Sequence, residues 1–237
     1  MAGIVLENTF LSISKMVDAI DNSEFGIVRC DANLVDENTL IVKSKFSDVK
    51  INPENQKLFK DCILENNFWY TPGCYLTKAK VMDEVIEGRD IFTNNDVQNW
   101  QMLLPILFTY KCYYIDEPLH NYLVRSTSYC HQPIDYKKAI DRTYIHEEII
   151  IETLKRLKKH TLIDDKYFSM VDEKYLKKRL DISFEYNQSK DFYKFFNMLK
   201  RFDPLNITSK VKLKKNLVNY PLLIKFIRKI QVYVYKT

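Results

Sequence analysis

The chain has 237 residues, a formal net charge of +5 and 46% hydrophobic residues, so it can hold one large domain or one domain with a helical appendage. Only four residues are glycine, and neither GxGxxG nor GxxxxGK[ST] occurs, which excludes the common nucleotide-binding loops. The modest charge does not indicate nucleic-acid binding, which usually requires a concentrated basic face.

The cysteine pattern and the apolar pattern together indicate a cytoplasmic protein. The five cysteines form no CxxC pair, which favours reduced, buried thiols over a disulfide framework or a zinc site. The sequence MAGIVLENTF lacks the basic and apolar regions of a signal peptide. No window approaches ~18 uninterrupted apolar residues, so no membrane span is expected.

The first part of the chain alternates between helix and strand patterns. Residue spacing predicts, in chain order, a helix over Thr9–Ile20, strands over Phe25–Leu34 and Thr39–Val42, a helix from Pro53 to Glu65, a short helix over Lys78–Val85 capped by Thr77, a helix over Asp96–Thr109, and strands over Tyr113–Asp116 and Leu119–Arg125. Pro105 falls inside the helix predicted over Asp96–Thr109, where it predicts a kink or an early stop.

The second part of the chain is helical. Helix patterns cover Ile134–Lys159, Glu173–Tyr186, Lys190–Arg201 and Lys210–Lys236. We therefore predict an α/β region over residues 1–132 and a helical region over residues 133–237.

The order of several short segments is similar to that of a known enzyme family. These segments are Leu6–Leu11, Phe25–Asp31, Pro72–Leu76, Val97–Trp100 and Tyr122–His131. In this order and spacing they resemble the C-terminal half of the catalytic domain of family 2 glycosyltransferases. The resemblance covers roughly residues 5 to 131, a little over half of the chain.

The resemblance implies a partial GT-A fold, a nucleotide-diphospho-sugar transferase-like mixed sheet with helices, followed by the helical tail. The implied activity is transfer of a sugar from a nucleotide-sugar donor to a saccharide or lipid-linked acceptor, in cell-surface polysaccharide synthesis. The chain would lack the N-terminal nucleotide-binding half of that domain. The alternative is a catalytically inactive remnant, or a partner subunit that pairs with a separate N-terminal half. An exposed sheet edge would be the contact, either with a partner chain or by self-association.

The family uses Mg²⁺ or Mn²⁺ held by an Asp-x-Asp motif, which would fall immediately before Leu6. Met1–Val5 contains no acidic residue, so the ligands are absent and we assign no metal-binding residue. The family's catalytic base would align with Asn99, whose amide cannot accept the acceptor's proton at a useful pKa. Asp96, one helical turn earlier, could take that role, although it would equally serve as a helix N-cap.

The resemblance also implies a set of acceptor-binding residues. These are Gly73, Gln98, Trp100, Arg125 and His131. Each has a structural alternative: a backbone turn for Gly73, a polar helix start for Gln98, a core aromatic for Trp100, an ion pair with Asp116 or Glu117 for Arg125, and a surface loop for His131.

The C-terminal stretch Tyr220–Val232 is basic and has the spacing of an amphipathic helix. It predicts peripheral contact with the inner face of an anionic membrane. Packing against the domain with solvated lysines explains the pattern equally well.

Overall fold

The computed structural model describes residues 4–5, 9–21, 23–48, 55–66, 68–69, 71–94, 99–125 and 134–221. Across these ranges the chain is a mixed α/β protein with a mixed β-sheet and eight α-helices. The described residues form two compact units. The first unit draws on residues 1–133 and 148–167, and the second draws on residues 134–147 and 168–237.

The sheet of the first unit is built around one long central strand. Its five strands are β1 (Ile4–Val5), β2 (Ile27–Asp36), β3 (Val42–Lys45), β4 (Tyr75–Thr77) and β5 (Cys112–Val124). β5 runs parallel to β2 along one edge. β3 and β4 pair antiparallel with the other edge of β2, and β1 pairs antiparallel with β5.

β2 is central because its sequence can be enclosed on both faces. Every residue from Ile27 to Ala32 is buried. Such an uninterrupted buried run is typical of a strand covered on both sides. Part of it contributes to a core cluster that contains Met16, Ile20, Val28, Cys30, Ala32, Trp69 and Cys74.

The prediction of two short strands around Pro118 was wrong, because β5 is continuous. The register with β2 nevertheless shifts there, with Cys30 opposite Ile115 and Asp31 opposite Pro118. Proline has no N–H to donate to a ladder, and a bulge is one of the places in a sheet that tolerate it.

The described residues of the first unit contain four complete α-helices and part of a fifth. They are α1 (Thr9–Asp21), α2 (Phe59–Leu64), α3 (Ala79–Val85), α4 (Trp100–Thr109) and the later residues of α5 (Tyr136–His160). The α1 prediction is confirmed within one residue. α2 is shorter than predicted, and it ends at Glu65 in a left-handed conformation with φ 57°.

The predicted cap of α3 was wrong. Thr77 does not cap α3, because its hydroxyl donates to the Gly26 carbonyl (2.7 Å) and Lys78 occupies the N-cap. α4 runs through Pro105 to Thr109, which confirms its predicted end and excludes the early stop at Pro105.

The second unit is helical in its described residues. It contains the first turns of α5, most of α6 (Lys166–Glu185), and α7 (Ser189–Phe202) and α8 (Ser209–Leu217). Its core is lined by Leu176, Leu180, Phe192, Phe195, Phe196, Leu199, Val211 and Val218. The sequence predicts one helical region over residues 133–237. In the structure, residues 148–167 of that range belong to the first unit. The predicted end of a catalytic domain at residue 132 stays a prediction.

None of the helices within the described ranges combines the length and apolar character needed to cross a bilayer.

Candidate functional site

Segments that lie far apart in the sequence meet at the centre of the first unit's sheet. β4 pairs with residues 27–29 of β2, and the backbone N–H of Cys30 donates to the Cys74 carbonyl (3.0 Å). This places the turn at Pro72–Gly73 beside the middle of β2. β5 lies along the opposite edge of the same strand.

Gly73 is required by its backbone geometry. Its φ of 90° lies in the left-handed region that side chains disfavour. A Cβ built at this position would lie 3.4 Å from the His120 ring, an ordinary van der Waals contact, so the backbone conformation and not the available space favours glycine. The turn interpretation of Gly73 agrees with this positive φ, and its acceptor contact stays a prediction.

His120 also lies near a pair of buried thiols. The pKa of Cys74 is raised, first because its thiol is hydrogen-bonded to Cys30 and then because it is buried. The pKa of Cys30 is lowered, because the Cys74 thiol and the imidazole of His120 both stabilise its thiolate against the cost of burial. Both cysteines are fully buried. The pair is therefore part of the sheet's interior and is not exposed to a substrate.

Arg29 of β2 is held among aromatic rings. The side chain is 1% exposed, and its guanidinium carbon lies 5.8, 5.0 and 5.2 Å from the ring centres of Phe68, Trp69 and Tyr114. Cation–π contacts of this kind stabilise a desolvated guanidinium. The Arg29 guanidinium is therefore part of the packed interior of the sheet and does not face solvent. One of the three rings is affected by the same burial: desolvation is the main reason why the pKa of Tyr114 is raised, and the Asp31 carboxylate adds to the effect.

Asp31, two residues after Arg29, is a buried carboxylate with protein donors. It accepts from the backbone N–H groups of Ala32 (2.8 Å) and Ser47 (3.2 Å), both at Oδ1, and from the Ser47 hydroxyl at Oδ2. These bonds attach the 3₁₀ turn at Phe46–Asp48 to the central strand. Sequence reasoning missed this role, although an Asp inside an apolar strand is the kind of residue that signals a specific buried partner.

The start of α4 contains two of the predicted site residues. Asn99 is its N-cap residue, and its backbone carbonyl accepts from the N–H groups of Met102 (3.2 Å) and Leu103 (2.9 Å). Trp100 is 1% exposed. This burial favours a core role for its indole, since a ring stacked on a saccharide needs an accessible face. Asp96 and Gln98 lie outside the described residues.

Arg125 immediately follows β5, whose last residue, Val124, is opposite Asp36 of β2. Of its two suggested carboxylate partners, Glu117 pairs with Lys15, and Asp116 accepts from the Tyr114 hydroxyl (3.4 Å). His131 lies outside the described residues. The described site residues thus occupy three places: the turn before β4, the start of α4 and the end of β5.

A separate cleft of about 870 Å³ lies in the first unit, between α4, residues 83–92 and residues 152–161. An ion pair between Arg156 and Asp90 (2.7 Å) joins its walls, and the His160 Nε2 lies 3.4 Å from the Glu87 carboxylate. None of the predicted site residues that the structure describes, Gly73, Asn99, Trp100 and Arg125, lines this cleft. The described part of the chain also holds no group of three His, Cys, Asp or Glu side chains placed to bind a metal ion.

No protein-family model matches the chain, and no curated protein matches it in sequence.

Proposed function

We propose that the chain is the acceptor-side half of a family 2-like, GT-A-type glycosyltransferase domain with a helical tail. The reaction would move a sugar from a nucleotide-sugar donor to a saccharide or lipid-linked acceptor in cell-surface polysaccharide synthesis. One observation supports this most strongly. The family-like segments Phe25–Asp31, Pro72–Leu76 and Tyr122–Arg125, although distant in sequence, belong to neighbouring strands or flank them in one mixed sheet.

The proposed chemistry at the start of α4 needs a base for the acceptor hydroxyl. An amide such as that of Asn99 can bind and orient a hydroxyl group but cannot remove its proton. Asp96, one turn earlier in the sequence, is the carboxylate that we assign to that role. Orientation by Asn99 and proton removal by Asp96 would together act on one acceptor hydroxyl.

The divalent cation of the family does not fit the residues of this chain. Met1–Val5 offers no carboxylate where the Asp-x-Asp would fall, and the described residues bring together no ligand group. A hard cation such as Mg²⁺ requires oxygen ligands, chiefly carboxylates. The proposal therefore contains no step that passes through a metal on this chain.

An open sheet edge supports the alternative proposal, in which the chain is an inactive remnant or a subunit that pairs with a separate N-terminal half. Within the described ranges, β1 covers only Asn121 and Tyr122 on the side of β5 that faces away from β2. Unpaired backbone groups along such an edge favour addition of another strand. A partner chain could therefore extend the sheet beyond β5.

Calorimetry tests whether the chain binds the donor nucleotide without a separate N-terminal half. Titration of the chain with UDP, with and without Mn²⁺, measures whether it binds a nucleotide by itself. Binding would eliminate the inactive remnant, whereas absence of binding and of sugar transfer shows that the chain is not an enzyme by itself.

Acceptor binding tests the assigned residues directly. Saturation-transfer NMR with oligosaccharides and polyprenyl-linked saccharides should detect an acceptor, and Asn99→Ala should weaken that binding by roughly tenfold, the loss of one well-placed hydrogen bond. Asn38→Ala, in the exposed turn after β2, is the matched control. If no saccharide binds, or if both variants behave alike, the acceptor-side assignment is wrong.

A further inference from the structure

The helical unit contains a pocket that the glycosyltransferase proposal does not use. It has a volume of about 500 Å³ and lies between α7, the 3₁₀ turn at Pro204–Asn206 and α8. The side chains that line it are Phe196, Lys200, Pro204, Ile207, Lys212, Lys215 and Asn216. They combine an apolar floor with three ammonium groups and one amide.

Among the described residues, no neighbouring carboxylate neutralises the positive charge of this pocket. Across the part of the chain that the structure describes, none of Lys200, Lys212 and Lys215 forms an ion pair, and no acidic residue lines the pocket. Lys214, on another face of α8, does pair with Asp181 (2.6 Å). The sequence after Asp203 contains no Asp or Glu to its end. Three uncompensated cations in one pocket favour an anionic ligand with several oxygens, such as a phosphate group.

The surroundings of the pocket are apolar, which a free phosphate ion would not require. Phe196 is buried and forms part of the pocket's apolar floor. The Lys215 Nζ lies 5.0 Å from the centre of its ring. Leu205, which adjoins Pro204 at the rim, is 88% exposed. Leu213, which follows the lining residue Lys212 in the sequence, and Phe202, two residues before Pro204, are also exposed, at 59% and 41%. Exposed apolar side chains beside lysines are typical of surfaces that enter the headgroup region of a bilayer.

We propose that this face of the helical unit docks on a membrane surface that contains anionic phospholipids. A headgroup phosphate would bind among Lys200, Lys212 and Lys215, while Leu205 would enter the acyl boundary. The most exposed of these side chains, Leu205, is aliphatic, which favours the acyl boundary of a bilayer over a nucleic acid, whose bases stack chiefly on aromatic rings. The lysines of this docking surface are not residues of the predicted C-terminal stretch Tyr220–Val232, and the proposal does not depend on the glycosyltransferase assignment.

Vesicle flotation tests the pocket lysines. The full chain should float with phosphatidylcholine vesicles that contain phosphatidylglycerol and should not float with phosphatidylcholine alone. A surface-bound lysine contributes about 1 kcal/mol, so a variant with Lys200→Gln, Lys212→Gln and Lys215→Gln should partition roughly 100-fold more weakly. Circular dichroism should show unchanged helicity, because all three side chains are exposed.

Two further triple variants remove the same number of positive charges from other parts of the chain. Lys137→Gln, Lys190→Gln and Lys194→Gln remove the same charge from exposed positions of the helical unit outside the pocket, and should weaken partitioning only severalfold. If this control loses as much binding as the pocket variant, the attraction is non-specific and the proposal fails.

The second variant replaces the basic residues of the C-terminal stretch, with Lys225→Gln, Arg228→Gln and Lys229→Gln. Loss of vesicle binding in this variant, while the pocket variant retains it, would place the contact on that stretch and overturn the proposal. Two further measurements identify the class of anionic ligand. Complete displacement of vesicles by inorganic phosphate would indicate a small-anion site, and binding to an RNA oligonucleotide without vesicle binding would indicate a nucleic-acid surface.

A fluorescence measurement tests insertion of the rim. Leu205→Trp adds an exposed indole to a chain whose two tryptophans, Trp69 and Trp100, are buried. Its emission should shift to the blue on addition of phosphatidylglycerol-containing vesicles and stay unchanged with phosphatidylcholine alone. An unchanged spectrum under conditions where the protein floats would show that Leu205 stays in water, and would overturn the insertion.

Discussion

Replacement of Asp31 measures how firmly the 3₁₀ turn at Phe46–Asp48 is attached to the central strand. In Asp31→Ala, the backbone N–H groups of Ala32 and Ser47 and the Ser47 hydroxyl all lose their shared acceptor. A buried donor left without a partner costs about 1–3 kcal/mol. Removal of a desolvated carboxylate offsets part of this loss, so we expect a net destabilisation of about 3 kcal/mol.

Asp31→Asn is the informative comparison. The amide keeps an oxygen at Oδ1, where both backbone N–H groups donate, and its NH₂ can donate to the Ser47 hydroxyl. Only the charge assistance is lost, which predicts a cost of about 1 kcal/mol. Ser47→Ala removes the hydroxyl alone and should also cost about 1 kcal/mol.

Urea denaturation followed by tryptophan fluorescence reports on the correct part of the chain, because Trp69 and Trp100 both belong to the first unit. The midpoint should fall in the order wild type, Asp31→Asn, Asp31→Ala, with an unchanged m-value. Equal costs for the Asn and Ala variants would contradict the geometry assigned to Oδ1. A cost below about 1 kcal/mol for Asp31→Ala would show that the turn is not attached in this way.

Three other predictions test separate features. Arg179 of the helical unit is 4% exposed and pairs with Glu147, so Arg179→Met should cost about 3–5 kcal/mol in thermal or urea melts followed by circular dichroism, whereas the double variant with Glu147→Met should regain most of that loss. Gly73→Ala should cost about 1–2 kcal/mol because of its positive φ, and a neutral outcome in the fluorescence assay would count against that conformation. The Lys43 ammonium and nearby backbone N–H groups hold the pKa of Asp36 well below its usual range, so its contribution to stability is present above the ordinary Asp pKa and is lost as the pH falls through the lower folded value. NMR titration of the Asp36 carboxyl carbon checks this, and Lys43→Gln should move the midpoint upward.

Local patterns predicted the elements whose formation depends on their own residues. The apolar spacing from Thr9 onward located α1 almost to the residue, because one buried helix face imposes its own periodicity. The continuity of β5 could not be inferred in the same way. Pro118 argues locally for a break, and only pairing with β2, more than eighty residues earlier, carries the strand through it.

The buried contacts inside the candidate site could not be predicted from the sequence for a related reason. The buried state of Asp31 depends on Ser47, which is sixteen residues away, and the environment of Arg29 depends on rings from Phe68 to Tyr114. The sequence after Asp203 is basic in composition, since it contains lysines and an arginine but no Asp or Glu. The convergence of lysines from α7 and α8 on one pocket follows from how those helices pack, which composition does not specify.

The parallel pairing of β2 with β5 also has a consequence for the order in which the chain can fold during its synthesis. On the β5 side, the partner of Ile27 is Cys112, which leaves the ribosome about 85 residues later. At ~5–20 residues per second, one edge of the most buried strand waits roughly 4–17 s for its partner. β3 and β4 emerge earlier and can protect only the opposite edge. We therefore expect nascent chains stalled before residue 112 to be the species most prone to aggregation, and most dependent on chaperones.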